Sequence, residues 1–376
     1  RTPVPRVFTP PSPRGYAPPL RCSHVLITRV LAKLEPGGAQ LSLLRVARAL
    51  VARGHETRLL VGYATGPGVD MARAHGIEPE LMGGGGDLQW RCDPAFAAWL
   101  RPRLLDADVV HAHMFGAWWA AALAVPDATP LFASEHNDYA WPGIPQWSAM
   151  RGAIDRVDRF YAHSPGAGAA ALRAGMPSER LVRGVSPVEG LDAAERPGLP
   201  RPRIVYTGRL SPDKGPDVLL EAIALMASPP PLLMLGAGVL EPVLRARIAE
   251  LGLGDVVALC GWRDDPAPWV AGAAIQVCPS RDEAFSQAAV LAMGLGVPVV
   301  GTRVDGFPRT LAAGRGLLVD PDDPAALATA LQDLLDGRRR TDVLGARAWA
   351  QQFEISRITS RYEDDYLERA LPLAAA

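Results

Sequence analysis

Arg209 and Lys214 stand five residues apart in the run Tyr206–Gly215, where an apolar segment gives way to a loop and then a helix. Arginine offers a planar fork of donors and lysine a compact point charge. On one strand-to-helix loop both can reach a single diphosphate. They can equally be two solvated bases. Of 39 basic residues only Lys33 and Lys214 are lysine, and a lysine kept in so arginine-rich a chain adds weight to the first reading.

Four further places carry candidate chemistry. Gly208 ends that apolar segment, and Leu235-Gly236-Ala237-Gly238 repeats the pattern of strand, glycine turn and helix. Such a turn either lets backbone amides approach phosphate at a helix start or is simply tight. Glu283 lies just before a helix, where the macrodipole favours an acid. It either caps that helix or accepts hydrogen bonds from sugar hydroxyls. Gly37-Gly38 separates the first strand from the first helix and admits a ligand or a plain turn. His136, in Ser134–Asp138, emerges at a strand end, either as a site group or as a structural histidine. His111 and His113, two residues apart on one strand face, suggest a metal pair, but no third ligand set accompanies them.

These residues require strands to end at them. Apolar, β-rich runs occur at His24–Leu31, Thr57–Gly62, Val109–His113, Leu131–His136 and Arg159–His163. Helical stripes fall between them, at Ala39–Arg53, Pro94–Leu105, Gly116–Ala124 and Pro145–Asp158. Gly190–Arg203, rich in proline, reads as a linker. The alternation then restarts with strands at Ile204–Gly208, Leu232–Gly236, Val256–Gly261, Ile275–Pro279, Val297–Thr302 and Gly316–Val319. Helices are expected at Gly215–Met226, Leu240–Leu251 and Ser286–Gly294. The pattern predicts an α/β protein of two doubly wound parallel domains facing a central cleft. Residues 1–20 form a Pro-rich arm, 21–195 the first domain, and 196–354 the second. Helices follow to residue 376, with 355–376 read as the last of them.

Composition narrows the classes. The 376 residues carry a formal charge of −1, with 48% hydrophobic and 21% charged residues. A balanced charge argues against a nucleic-acid surface. No apolar run is long enough to span a membrane, and the arm lacks a secretory h-region. The four cysteines show no paired spacing, so a reducing cytoplasm is the default.

In their order and spacing, from about His24 to Glu368, these segments resemble the retaining family 4 glycosyltransferases of GT-B fold. Val205–Lys214 resembles that family's strand followed by G-R-L-x-x-x-K-G. Leu233–Gly238 resembles its G-x-G turn, and Pro279–Pro298 its S-x-x-E-x-F segment running into G-x-P-V-V. The resemblance implies a nucleotide-diphosphate sugar as co-substrate, UDP-linked, with no cofactor and no metal. It places Arg209 and Lys214 on the donor diphosphate, and Glu283 on sugar hydroxyls with the amides of Ala284, Phe285 and Ser286. It places Gly37 and Gly38 on the phosphates and acceptor, Trp262 and Arg263 beside the base, and His136 near the reacting sugar. It also implies that the helix of residues 355–376 crosses back to the first domain, and that the anomeric configuration is retained through an oxocarbenium-like transition state.

Three positions depart from the pattern. Leu291 stands where the family has a second glutamate, which usually binds the ribose. Arg183-Gly184-Val185-Ser186 stands where it has N-G-V-D, and Arg309 replaces a glutamate after the G-x-P segment. Ala289–Arg303, including Leu291, is similar to glycosyltransferases of aminoglycoside biosynthesis in actinobacteria. That similarity implies a cationic, paromamine-like acceptor containing 2-deoxystreptamine. Acids at Glu135 and Asp138, with Asp87 and Asp93 on another loop, would then meet the cation. Trp141, with Trp118, Trp119 and Trp147, would provide flat walls or pack in the core. An epimerase, a non-catalytic sugar-nucleotide sensor and a peripheral-membrane transferase to lipid or polysaccharide remain alternatives. The chain is expected to act as a monomer or homodimer.

Overall fold

The computed structural model describes residues 24–136 and 144–370. Asp138, Trp141 and the Pro-rich arm lie outside the described residues. Two parallel sheets organise the rest. The first holds β1 (Leu26–Leu34), β2 (Glu56–Ala64), β3 (Pro79–Leu81), β4 (Val109–His113), β5 (Leu131–Glu135), β6 (Arg159–Ala162) and β7 (Leu181–Arg183). Their spatial order is β3-β2-β1-β4-β5-β6-β7. The second holds β8 (Ile204–Thr207), β9 (Leu232–Leu235), β10 (Val257–Gly261), β11 (Ile275–Cys278), β12 (Val299–Thr302) and β13 (Leu317–Val319). Its order is β10-β9-β8-β11-β12-β13.

Strands covered on both faces must be apolar nearly throughout. Ile27, Val30, Val109, Val110, Ile204, Val205 and Val277 are accordingly fully buried. In each sheet the order reverses beside the first strand, between β1 and β4 and between β8 and β11. Ligands of doubly wound sheets collect at the carboxyl ends of such neighbours. Here both switch points open onto one cavity.

The helix Gly38–Ala52 buries the apolar stripe expected of it, including Leu41, Leu44, Val46, Ala47 and Leu50. It stops at Gly54, whose positive φ of 96° suits glycine alone among common residues. Against it lies the helix Ile355–Ala370, which inserts Ile358, Tyr362 and Tyr366 into the first domain. Arg53 fixes the pair through Glu363 and through the Ser356 carbonyl at 2.9 Å.

Some boundaries differ from expectation. The Pro94–Leu105 helix ends at Leu100 and tightens into a 3₁₀ turn over Arg101–Arg103, because Pro102 supplies no amide hydrogen. The Gly215–Met226 helix starts at Pro216, after Gly215 turns left-handed. The segment Gly190–Arg203 is not a solvated tether. Leu191 packs in the core, and the buried Arg203 pairs with Glu195 at 2.7 Å and donates to the Trp269 carbonyl at 3.1 Å. Among the described residues, no helix is long and apolar enough to cross a membrane.

Candidate active site

The second domain contributes the charged half of the cavity. After β8, the Tyr206 hydroxyl donates to the Arg209 carbonyl at 2.6 Å. The Leu210 amide donates to the Ala237 carbonyl at 3.0 Å, and the Leu240 amide to Leu210 at 2.9 Å. The Arg209 loop is thus laced to the turn that follows β9. That turn must be glycine: a Cβ on Gly236 would lie 1.8 Å from the Gly208 carbonyl oxygen, and one on Gly238 2.4 Å from that of Leu210. Neither glycine lines the cavity. Their structural part is close backbone packing under the Arg209 loop.

Beyond the loop, Asp213 accepts from the Ser211 hydroxyl at 2.6 Å and pairs with Arg209 at 3.1 Å. Lys214 Nζ lies 3.2 Å from Glu283 Oε2 and donates to the Asp282 carbonyl at 3.0 Å. Burial opposes charge on Lys214, but Glu283 and then Asp213 outweigh it and raise its pKa above the ordinary lysine value. Burial also opposes charge on Asp213, yet the Ser211 hydroxyl, Lys214 and Arg209 hold it below the usual carboxylate range. Glu283 is anchored in turn by Gly306, whose amide donates to the Glu283 carbonyl at 2.9 Å. Ser286 caps the helix Gln287–Gly294, its hydroxyl accepting from the Ala289 amide at 3.3 Å. The first amides of a helix have no internal partners, and its dipole favours an anion there.

The first domain faces this half with Gly37, Gly38 and the ends of β4 and β5. Gln287 spans the cleft, donating to the Gly38 carbonyl at 2.8 Å and the Ser42 hydroxyl at 3.0 Å. A Cβ on Gly38 would stand 3.0 Å from that amide nitrogen. Trp262 reaches over from the second domain onto the first-domain cluster of Leu31, Leu41 and Met114. The Arg263 guanidinium sits over the Trp269 ring at 5.0 Å.

His136 belongs to a stack of four imidazoles. Ring centres are 4.2 Å apart for His111–His113, 6.0 Å for His113–His136 and 3.9 Å for His136–His163. Burial pushes His136 down to about 4, and burial first holds the other three well below the ordinary histidine value. His136 Nε2 and both nitrogens of His163 have no hydrogen-bond partner among the described residues. The metal pair considered for His111 and His113 takes another form. His111 spends both nitrogens on the Tyr366 and Ser134 hydroxyls, at 2.5 and 2.9 Å.

One cavity of about 440 Å³ gathers Arg209, Lys214, Glu283, His136, Gly37, Gly38, Gly208, Trp262, Arg263, Ala284, Phe285 and Ser286. Glu135 is not among them. Its side chain is fully buried, and Oε1 accepts from the His136 amide at 3.0 Å, so it shapes the strand end instead of meeting an acceptor. Asp93 caps the helix Pro94–Leu100 and pairs with Arg91, as does Asp87. Trp118 is fully buried in the core, and Trp119 and Trp147 pack against it. Leu291 does line the cavity, together with Glu35, Arg45, Gln89, Trp90, His163, Glu189 and Gln287. The sequence analysis did not single out those last seven. Only Gln287 carried a signal, its place at the start of the helix after Glu283.

The comparisons agree with this geometry. The family model described as Glycosyltransferase Family 4 matches residues 36–183, and that described as Glycosyl transferases group 1 matches residues 201–337. A D-inositol 3-phosphate glycosyltransferase of Streptomyces avermitilis is 36% identical over 40% of this chain and 36% of its own length. A D-inositol 3-phosphate glycosyltransferase 2 of Catenulispora acidiphila is 31% identical over 66% of this chain and 62% of its own. The matched part therefore spans less than two thirds of these relatives. Among solved structures, Anabaena HepE in complex with UDP has a TM-score of 0.71 at 22% identity, covering 90% of this chain and 98% of that one. Sucrose-phosphate synthase of Thermosynechococcus elongatus gives 0.71 at 19%, covering 94% and 100%. These two show the fold, GT-B. With both domains matched in order, the chain belongs to the group 1, family 4 glycosyltransferases.

Proposed function

We propose that this chain transfers a sugar, with retention, from a UDP-sugar to a hydroxyl of a small aminocyclitol-containing acceptor. The observation that carries the transferase reading is the Arg209–Asp213–Lys214–Glu283 network, set across one cavity from Gly37, Gly38 and His136. Departure of the donor phosphate builds negative charge. Two cationic side chains and the amides beside Ser286 are held in place beforehand to stabilise it. Glu283 offers a carboxylate to sugar hydroxyls, and His136, neutral above about 4, offers a hydrogen bond without charge. The leaving phosphate oxygen accepts the acceptor's proton on the face where the new bond forms. Closure of the domains over Gln287 and Trp262 limits attack by water. The UDP in the HepE complex supports the choice of nucleotide.

The acceptor follows from charge. The relatives are named for a cyclitol phosphate, which calls for a free cation. From the first domain the cavity receives one described cation, Arg45, already paired with Glu189 at 3.1 Å. Glu35, paired with Lys33 at 2.8 Å, lines the same wall. That wall suits a cationic or neutral cyclitol better than a phosphorylated one.

A mass-spectrometric transfer screen tests the reading. UDP-, GDP- and dTDP-sugars are paired with paromamine, inositol phosphate and a lipid acceptor, using wild type and Lys214→Ala. The expected result is a glycosyl increment on paromamine from a UDP-sugar, lost in the variant, with the anomeric configuration kept by NMR. Transfer only to inositol phosphate or lipid would overturn the acceptor. Donor isomerisation without acceptor, or nucleotide binding without turnover, would overturn the transferase.

A further inference from the structure

The chain passes between its two sheets twice, through residues 184–203 and 351–354, and the passages meet where Val188 pairs with Glu354. A second cavity of about 560 Å³ opens there. It shares no lining residue with the cleft. Arg183, at the end of β7, and Arg357 and Arg361, on the crossing helix, line it with the Ser360 hydroxyl and the Phe353 ring. Arg309, from the second domain, bears on the Arg183 charge.

Many arginines elsewhere on the molecule are held by carboxylates. Arg281 is held by Asp217 and Asp322, and Arg247 by Glu221 and Glu250. Arg183, Arg309, Arg357 and Arg361 have no ion pair and no side-chain hydrogen bond among the described residues. Burial, then Arg309, then Arg361 push the Arg183 guanidinium below its ordinary value, with no carboxylate opposing them. Two of the four, Arg183 and Arg309, are positions where the sequence departs from the family pattern. Like charges converge in a concave site only at a cost that an anion would remove.

We propose that this groove binds a phosphate group of a small soluble molecule, held by Arg183, Arg357 and Arg361. Guanidinium forks match phosphate oxygens in pairs, and Ser360 adds a hydroxyl donor. A concave pocket with an aromatic wall suits a compact polyphosphate or phosphorylated metabolite.

The test is calorimetric titration with pyrophosphate at low salt. The full-length Arg209→Ala/Lys214→Ala variant removes competition from the cleft. Binding is expected to persist in that background and to fall at least about tenfold when Arg183→Glu/Arg361→Glu is added. Arg183→Gln/Arg361→Gln serves as the folding control. Relief of repulsion should keep or raise its melting temperature without ligand while pyrophosphate no longer stabilises it. Three results would overturn the proposal: no binding in the cleft-blocked variant, binding unaffected by the groove substitutions, or association with vesicles of phosphatidylcholine and phosphatidylglycerol without binding of pyrophosphate.

Discussion

Replacing Lys214 by alanine tests whether that lysine acts on a substrate or only neutralises Glu283. At 3.2 Å the Nζ–Oε2 pair has a Coulomb attraction of about 5 kcal/mol at an effective dielectric of about 20. The side chains are 21% and 14% exposed, so desolvation offsets much of that attraction. Cutting the pair on the lysine side should cost about 1–3 kcal/mol of folding stability, because Glu283 is left mostly buried without its cation. Loss of a preorganised charge at the leaving phosphate is a separate effect, about 3–4 kcal/mol or 10²–10³ in kcat. The double variant Lys214→Ala/Glu283→Gln separates them. With the carboxylate neutralised, the melting temperature should return most of the way, while the rate stays as low as in Lys214→Ala. The assay is the initial rate with the donor–acceptor pair found in the transfer screen, beside thermal unfolding. A double variant that turns over within about tenfold of Glu283→Gln alone would refute the phosphate role.

Other outcomes follow from the same geometry. The buried imidazoles bind protons more weakly folded than unfolded, so stability should fall as pH drops from about 6.5 toward about 4, His136 alone contributing on the order of 3 kcal/mol. A melting temperature flat across that window would contradict it. The raised Lys214 value has the opposite sign: the pair's contribution is complete below the ordinary lysine value and is lost only as pH rises through the higher one, so activity should hold through mildly alkaline solution. Gln287→Ala removes bonds of 2.8 and 3.0 Å across the cleft. It should open the domains, seen as a larger radius of gyration in solution scattering, and an unchanged profile would count against the bridge. Gly236→Ala puts a Cβ 1.8 Å from the Gly208 oxygen and should cost about 1–3 kcal/mol while weakening donor binding through the displaced Arg209 loop. Donor affinity equal to wild type would refute that coupling.

The residues that announced themselves in the sequence are those whose local context matches their use. β4 runs over Val109–His113 as its apolar run suggests, and Arg209, Lys214 and Glu283 converge because each follows a strand at the same end of one sheet. Short or exposed elements were illegible. The three residues of β3 include exposed Glu80 and Leu81, and the helix Gly66–Ala74 opens on Gly-Pro-Gly, poor helix formers that depend on the Thr65 cap. Residues placed by long-range packing were also invisible: Trp90, His163 and Glu189 reach the cavity only because distant elements bring them there. The reverse error has the same origin. Glu135 looks available in the sequence, but its strand register turns the side chain inward.

The crossing helix Ile355–Ala370 has a consequence for synthesis. Its Tyr366 sits against Arg29, His111 and Phe132, and its Tyr362 against His111 and Tyr161, so it completes the first domain from the far side of the second. Between β7 and this helix the ribosome adds roughly 170 residues, about 9–35 s at ordinary speeds. For that interval the nascent first domain carries an open seam of aromatic and histidine side chains. The second domain, emerging meanwhile, can close on its own sheet without waiting. Maturation therefore runs out of chain order, and the open seam is the surface that a chaperone would meet.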